Sequence, residues 1–461
     1  MRHYPTASCV LAALMRGRRR FRFVLFAVLA ILMQRVVAAQ SPRYETLYSF
    51  KGSPDGADPK GALVIGKFGE LYGTTFAGGT SVLGTVFVLT KATGHWKETV
   101  LHNFSGSDGQ YPQSALIFGS TGAFYGVTVG GGSGASGTIF ELAPPSTSGG
   151  AWTETVLYNF VYTGNGQNAV PNGPLLIGPG GTLYATTEGG PNGGGFKLGL
   201  AVALVPPATP GGAWTEKELY TFGFNQGEQP FAGVVSEGGS LFGTTIFAGD
   251  PICDCGTVYE LTPPATRGGT WAETTIHVFG ETPGDGQEPF AALTVGHGGV
   301  LYGTTRFGGS GVCHTSGFTE DGCGTVFQLT PPTTPGGTWT ESILYSFTGT
   351  NGDGVAPVAS VVVGKSGALY GTTEWGGSAT SDSACPASYE VVAGCGIVFE
   401  LTPPTAPDGA WTETVLHSFS GANGDGAIPV AGLALSSTGV LYGTTSAGGT
   451  GGRGTVFAVA P

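Results

Sequence analysis

Six of the seven cysteines, Cys253, Cys255, Cys313, Cys323, Cys385 and Cys395, fall two to a loop in three consecutive stretches, and the second of each pair directly precedes a glycine. In an oxidising compartment this arrangement suits disulfides that staple enlarged loops. Pairing is expected for Cys313 with Cys323 and for Cys385 with Cys395. Cys253 and Cys255 can pair too, although one intervening residue makes a strained ring. The competing chemistry is a metal shared between adjacent loops, with His314 as an extra ligand. The Cys-x-x-Cys spacing of structural zinc is absent, so neither a metal nor a cofactor is expected.

Carboxylates recur as well. Asp-Gly turns stand at Asp55, Asp108, Asp285, Asp353 and Asp425. A ring of oxygen ligands suits calcium; the simpler expectation is that Asp and Gly shape tight turns. His102, His277 and His417 occupy a strand slot that Tyr48, Tyr158, Tyr220 and Tyr345 fill elsewhere. The interchange points to structure, because both residues join an apolar body to a polar tip. One further slot varies freely from copy to copy: Phe76, Val129, Glu188, Ile246, Arg306, Glu374 and Ser446. Function in a repeated molecule is expected where copies differ, which makes Glu188, Arg306 and Glu374 the candidate ligand-binding residues and Trp375 a candidate aromatic platform. Arg306 and Glu374 belong to adjacent copies and are expected to pair as ions. No catalytic residue is assigned.

The elements that must position these residues follow from self-similarity. Leu-Tyr-Gly-Thr-Thr or a close variant begins at Leu71, Phe124, Leu183, Leu241, Leu301, Leu369 and Leu441, at spacings of 53 to 72 residues. After each comes a glycine-rich loop and an apolar run of the type Gly84-Thr-Val-Phe87, which the third copy replaces with Gly195-Phe196-Lys197-Leu198. A Pro-Pro turn in most copies, a strand opening on Trp (Trp96, Trp152, Trp214, Trp271, Trp339, Trp411), and a turn ending in Pro before a short apolar run complete the unit. Each copy therefore supplies four short strands, and no stretch carries a helical period. This excludes helical solenoids and predicts an all-β, seven-bladed β-propeller of four-stranded antiparallel blades. Tyr44-Glu-Thr-Leu-Tyr-Ser-Phe50 matches the Trp strand without its Trp, and the last copy lacks that strand, so the N-terminal strand is expected to complete the C-terminal blade and close the ring.

These motifs resemble the GloVer tandem-repeat family of exported bacterial choice-of-anchor proteins, over essentially Tyr44 to Pro461. The resemblance implies export and tandem repetition but no catalytic residues. Family members often carry a C-terminal sorting segment, and this sequence ends at Pro461 directly after its last strand, which puts surface anchoring in doubt.

Residues 1–39 hold seven of the 19 basic residues and none of the 31 acidic ones. Arg16 to Arg22, the apolar run Phe23 to Met33 and Val37-Ala38-Ala39 read as the three regions of a cleaved signal peptide, which removes Cys9 and leaves residues 40–461 as a single domain. The apolar run is shorter than a membrane span requires, so no span is expected after cleavage. The remaining chain carries 12 basic against 31 acidic residues, a formal charge near −19, which makes nucleic acid and anionic membranes poor partners. The sequence thus reads as a secreted or periplasmic monomer that binds or scaffolds an extracellular ligand, carbohydrate or protein. The alternative is a secreted carbohydrate-active hydrolase or lyase using carboxylates such as Glu188 and Glu374.

Overall fold

In a computed structural model, the chain is described over residues 42–461, apart from 148, 162–169, 190–198, 210, 224–226, 248–253, 267, 314–321, 335, 380–384, 386–393 and 407–408. The signal segment 1–39, Cys9, Cys253 and His314 lie outside the described residues. Glycine, proline and β-branched residues leave little room for helix. Among the described residues the only helical turns are Pro179–Gly181 and His297–Gly299. None is long and apolar enough to cross a membrane.

Among the described residues the rest is seven antiparallel sheets built on four strands, one per repeat, with four two-stranded ribbons beside them. Blade 1 runs Val64–Ile65, Leu71–Thr75, Thr85–Ala92 and His95–Asn103 in spatial order. Blades 2 to 7 follow the later copies in chain order. In blade 7 the fourth strand is Arg43–Ser49, laid beside Thr455–Ala460. The expected closure is therefore present. The compact unit spans Tyr44–Ala460.

Three contacts repeat between blades. The phenylalanine ending each outer strand packs edge-on against the Val-Phe strand of the next blade. Phe50 meets Phe87 at 5.1 Å, Phe104 meets Phe140 at 5.2 Å, and Phe419 meets Phe457 at 5.1 Å. All six rings are fully buried, and each such pair is worth about 0.5–1.5 kcal/mol beyond its buried area. The first threonine of each Thr pair donates its hydroxyl to a carbonyl of the next blade: Thr74 to Ser114, Thr304 to Ala359, and Thr444 to Gly61 across the closure. Blade 2 has Val127 at this place. The second threonine stays within its blade and meets a threonine on the adjacent strand, as Thr75 meets Thr85 at 2.8 Å.

The third contact lies nearest the axis. The residue before the turn proline takes a left-handed conformation in six connections, with φ between 54° and 62° at Asp58, Tyr111, Gln229, Glu288, Ala356 and Ile428. Such a conformation is unusual for any residue but glycine and is least expected of β-branched Ile428. It lets one peptide serve two blades. Ile428 N–H donates to the Cys395 carbonyl of the previous blade at 2.9 Å, while its own carbonyl accepts from Ser446 N–H at 3.0 Å. The following proline then lies flat on the glycine that opens the previous blade's Val-Phe strand. At Gly324 (φ 95°) a Cβ would come within 2.5 Å of Pro357 Cδ, which explains why the repeat keeps that glycine.

Deleting residues 42–52 removes the last blade's outer strand and bares the Thr455–Ala460 edge. The truncated protein should melt more than about 10 °C lower and self-associate in size-exclusion chromatography. A monomer with an unchanged melting temperature would contradict the closure.

Candidate functional site

The double-bonded connection sets the direction of the residue after the proline. One cavity of about 330 Å³ takes a lining residue from all seven connections, so it lies on the ring's axis. Lys60, Gln113 and Asn172 enter from the connections into blades 1 to 3. Phe231, Phe290, Val358 and Val430 enter from those into blades 4 to 7. The residues after the prolines are polar in blades 1 to 3 and apolar in blades 4 to 7, where Arg306 and Glu374 add charge to the wall.

Behind this ring stands the variable slot that follows each Thr pair. Glu188 accepts from Asn172 Nδ2 at 2.8 Å, and Asn172 Oδ1 accepts from Gln113 Nε2 at 2.6 Å. Arg306 and Glu374 line the cavity directly. The Arg306 guanidinium lies 3.9 Å from Glu374 and 3.8 Å from Glu288, and it covers the rings of Phe290 and Phe307 at 5.2 and 5.0 Å. Burial raises the Glu374 carboxyl above its usual range, with Arg306 and Lys60 pulling the other way. Lys60 reaches Asp58 at 3.3 Å and sits 3.9 Å above Phe76.

Two of the four residues expected from the sequence, Arg306 and Glu374, line this cavity as neighbours, and Glu188 stands behind its wall on Asn172. Trp375 is placed elsewhere. It pairs with Val355, is 9% exposed, and packs in the core with Cys313 and Phe399. The aromatic surface of the cavity is instead Phe231 and Phe290, 5.5 Å apart and inclined by 66°. Those two, with Lys60, Gln113 and Asn172, were missed. The signal was the residue after each turn proline, which varies as freely as the slot that was noticed.

The remaining polar clusters belong to the blade joints. Asp55, Asp285, Asp353 and Asp425 each accept the next glycine's N–H and a backbone N–H from the end of the preceding strand. This is the turn-shaping role. Tyr48 donates its hydroxyl to Asp55 at 3.0 Å, and His102 and His417 hold Asp108 and Asp425 at 3.0 and 3.1 Å. The Tyr/His slot is therefore a tether on the turn aspartate. A glutamate from the next blade's Trp strand completes four of these joints. Burial, helped by Asp55, Asp108, Asp285 and Asp353 respectively, pushes Glu98, Glu154, Glu341 and Glu413 up to about 7. His102, Asp108 and Glu154, and likewise His277, Asp285 and Glu341, bring donor atoms within 4.8 Å of one another. Tyrosine replaces the imidazole at the joints of Tyr48 and Tyr345, so the feature common to all four is a buried glutamate beside the turn aspartate rather than a metal ligand set. In blade 7 Tyr44 takes the glutamate's place and stacks on His417 at 3.5 Å.

The disulfides Cys313–Cys323 and Cys385–Cys395 are formed, with Cα separations of 5.1 and 5.3 Å. Cys255 is also disulfide-bonded. The carbonyls of Cys255, Cys323 and Cys395 receive the N–H of Glu288, Ala356 and Ile428. These braced loops therefore hold the connections that carry Phe290, Val358 and Val430.

A family profile described as the Gloeobacter/Verrucomicrobia repeat matches residues 36–203, 199–380 and 311–461. The chain belongs to this family. Among curated proteins none matches it. Solved structures that resemble this Gloeobacter/Verrucomicrobia repeat protein include PorZ, a surface component of the type-IX secretion system of Porphyromonas gingivalis, at 13% identity and TM-score 0.44 over 86% of this chain and 46% of PorZ. The chain thus spans about half of PorZ. A Trypanosoma rangeli sialidase (11% identity, TM-score 0.39, 91% of this chain and 59% of that one) is similar to a comparable degree. So is an ulvan lyase of polysaccharide lyase family 25 (10%, 0.40, 85% and 97%).

The four glutamates bind protons in the folded protein up to about pH 7, whereas in the unfolded chain they release them near the ordinary glutamate value of about 4.3. A raised folded pKa means a contribution fully present below the unfolded value and lost as pH rises through the folded one. The melting temperature should therefore fall between about pH 4 and 7, and Glu154→Gln should flatten that slope. A slope unchanged by this substitution would contradict the raised carboxyl of Glu154.

Proposed function

We propose that this protein is an exported binding module that works as a monomer and holds its ligand in the axial cavity. In this reading residues 1–39 are the export signal, and the disulfides brace the cavity wall outside the cytoplasm. The observation that carries it is the contrast within each repeat. The proline recurs at every connection and the two hydrogen bonds at five of them, while the one side chain that lines the cavity after the proline changes from Lys60 to Val430. Recurrent support around a varied wall is what a pre-formed site for one particular ligand requires.

The rival reading, cleavage of a polysaccharide by Glu188 and Glu374, draws support from the raised carboxyl of Glu374. Against it, Glu188 holds Asn172 and Glu374 sits beside Arg306, so both carboxylates serve neighbouring side chains. Sugar release from a polysaccharide panel that disappears in Glu374→Gln would favour the rival.

A melting-temperature screen against soluble sugars, amino acids, short peptides, nucleosides and organic acids tests the binding role. At least one compound should raise the melting temperature of the native protein by several degrees. It should do nothing to Val358→Trp or Val430→Trp, each of which fills the cavity from its apolar side. Compounds that stabilise native and filled proteins equally would overturn the proposal.

A further inference from the structure

Both cations at the cavity are already paired with carboxylates. Arg306 stands between Glu288 and Glu374, within 4 Å of each, and Lys60 is held by Asp58 at 3.3 Å. A ligand carboxylate or phosphate would have to approach Glu374. A ligand ammonium would have to approach Arg306 and Lys60, and the aromatic face that favours a cation is covered by the Arg306 guanidinium. Neither sign of ligand charge gains from entering.

Uncharged hydrogen bonding, by contrast, is well provided. The relay from Gln113 to Asn172 to Glu188 fixes both amides in one orientation. Each amide uses only part of its four hydrogen-bonding positions in that relay, which leaves a donor and an acceptor side by side on adjoining blades. Hydroxyl groups, each donor and acceptor at once, match such an alternating edge. Across the axis lie the edge-to-face rings of Phe231 and Phe290 with Val358 and Val430. Their counterpart is a ligand with one apolar C–H face. A volume of about 330 Å³ accommodates one or two such rings rather than a long folded chain.

We infer that the axial cavity takes a neutral sugar residue, free or at the end of a glycan, with its hydroxyl edge on Gln113 and Asn172 and its C–H face on Phe231, Val358 and Val430. This rests on the binding reading above and adds the ligand's class to it. Calorimetric titration with the methyl glycosides of glucose, galactose, mannose, rhamnose, xylose and arabinose, beside methyl glucuronide, N-acetylneuraminic acid, tetramethylammonium chloride and adenosine, tests it. At least one neutral glycoside should bind saturably, with an affinity that changes less than about twofold between 20 and 500 mM salt. Asn172→Ala and Phe231→Ala should each weaken it at least about tenfold. If the best binder is an acid, the ammonium or adenosine, or if no neutral glycoside binds, the sugar assignment is wrong; the cavity reading survives as long as the Val358→Trp protein loses the compounds the native protein holds. If Val358→Trp binds a glycoside as well as the native protein does, both fall.

Discussion

The ring depends on a peptide that is awkward for its own residue. In six of the seven connections the amino acid before proline adopts left-handed φ, at a cost of about 1–3 kcal/mol each. What holds it there in five of the six is a pair of hydrogen bonds, one to each blade it joins. An unmade bond at such a buried peptide costs about as much as the strain it would relieve. The conformation also seats the proline on a glycine that tolerates no side chain and turns the next residue toward the axis. Strain, blade joining and the choice of cavity wall are therefore one device repeated around the ring, and the cavity can change its chemistry one residue at a time without disturbing what supports it.

Farther from the axis the joints are made of different material. Edge-on phenylalanine pairs fill the space between blades, and outside them a tyrosine or histidine, a turn aspartate and a glutamate meet in a half-buried polar seam. The seam is tuned by burial. Burial and the neighbouring aspartate keep each glutamate protonated longer than usual, so charge repulsion across the joint grows as pH rises toward 7. The disulfides add a third kind of joint. They lie in blades 4 to 6, whose cysteine carbonyls hold the connections bearing Phe290, Val358 and Val430, so the apolar arc of the cavity is the covalently braced one.

Much of this was legible in the residues. The spacing of Leu-Tyr-Gly-Thr-Thr gave the number of blades, alternating aromatic and β-branched runs gave four strands each, and Tyr44 to Phe50 matched the strand that the final repeat lacks. The pairing of Cys313 with Cys323 and of Cys385 with Cys395 followed from loop position. The cavity wall was harder to see. A residue before proline is ordinarily extended, and no local preference announces a left-handed turn at Ile428 or Glu288, so nothing in the sequence says that Lys60 or Phe290 faces inward. Trp375 misled for a related reason: the short strand it shares with Val355 turns its ring into the core, whereas Glu374, one residue earlier, stays at the axis.

Native-state hydrogen exchange at the residues before proline tests the central claim most directly. The amides of Asp58, Tyr111, Glu288, Ala356 and Ile428 each cross a joint, and Asp58 alone crosses the one between the first and last repeats, to Arg453 at 2.8 Å. All should exchange only with global unfolding, Asp58 as slowly as the others. An Asp58 amide that exchanges at the rate of an exposed loop while Tyr111 and Ile428 remain protected would mean that the ring is open.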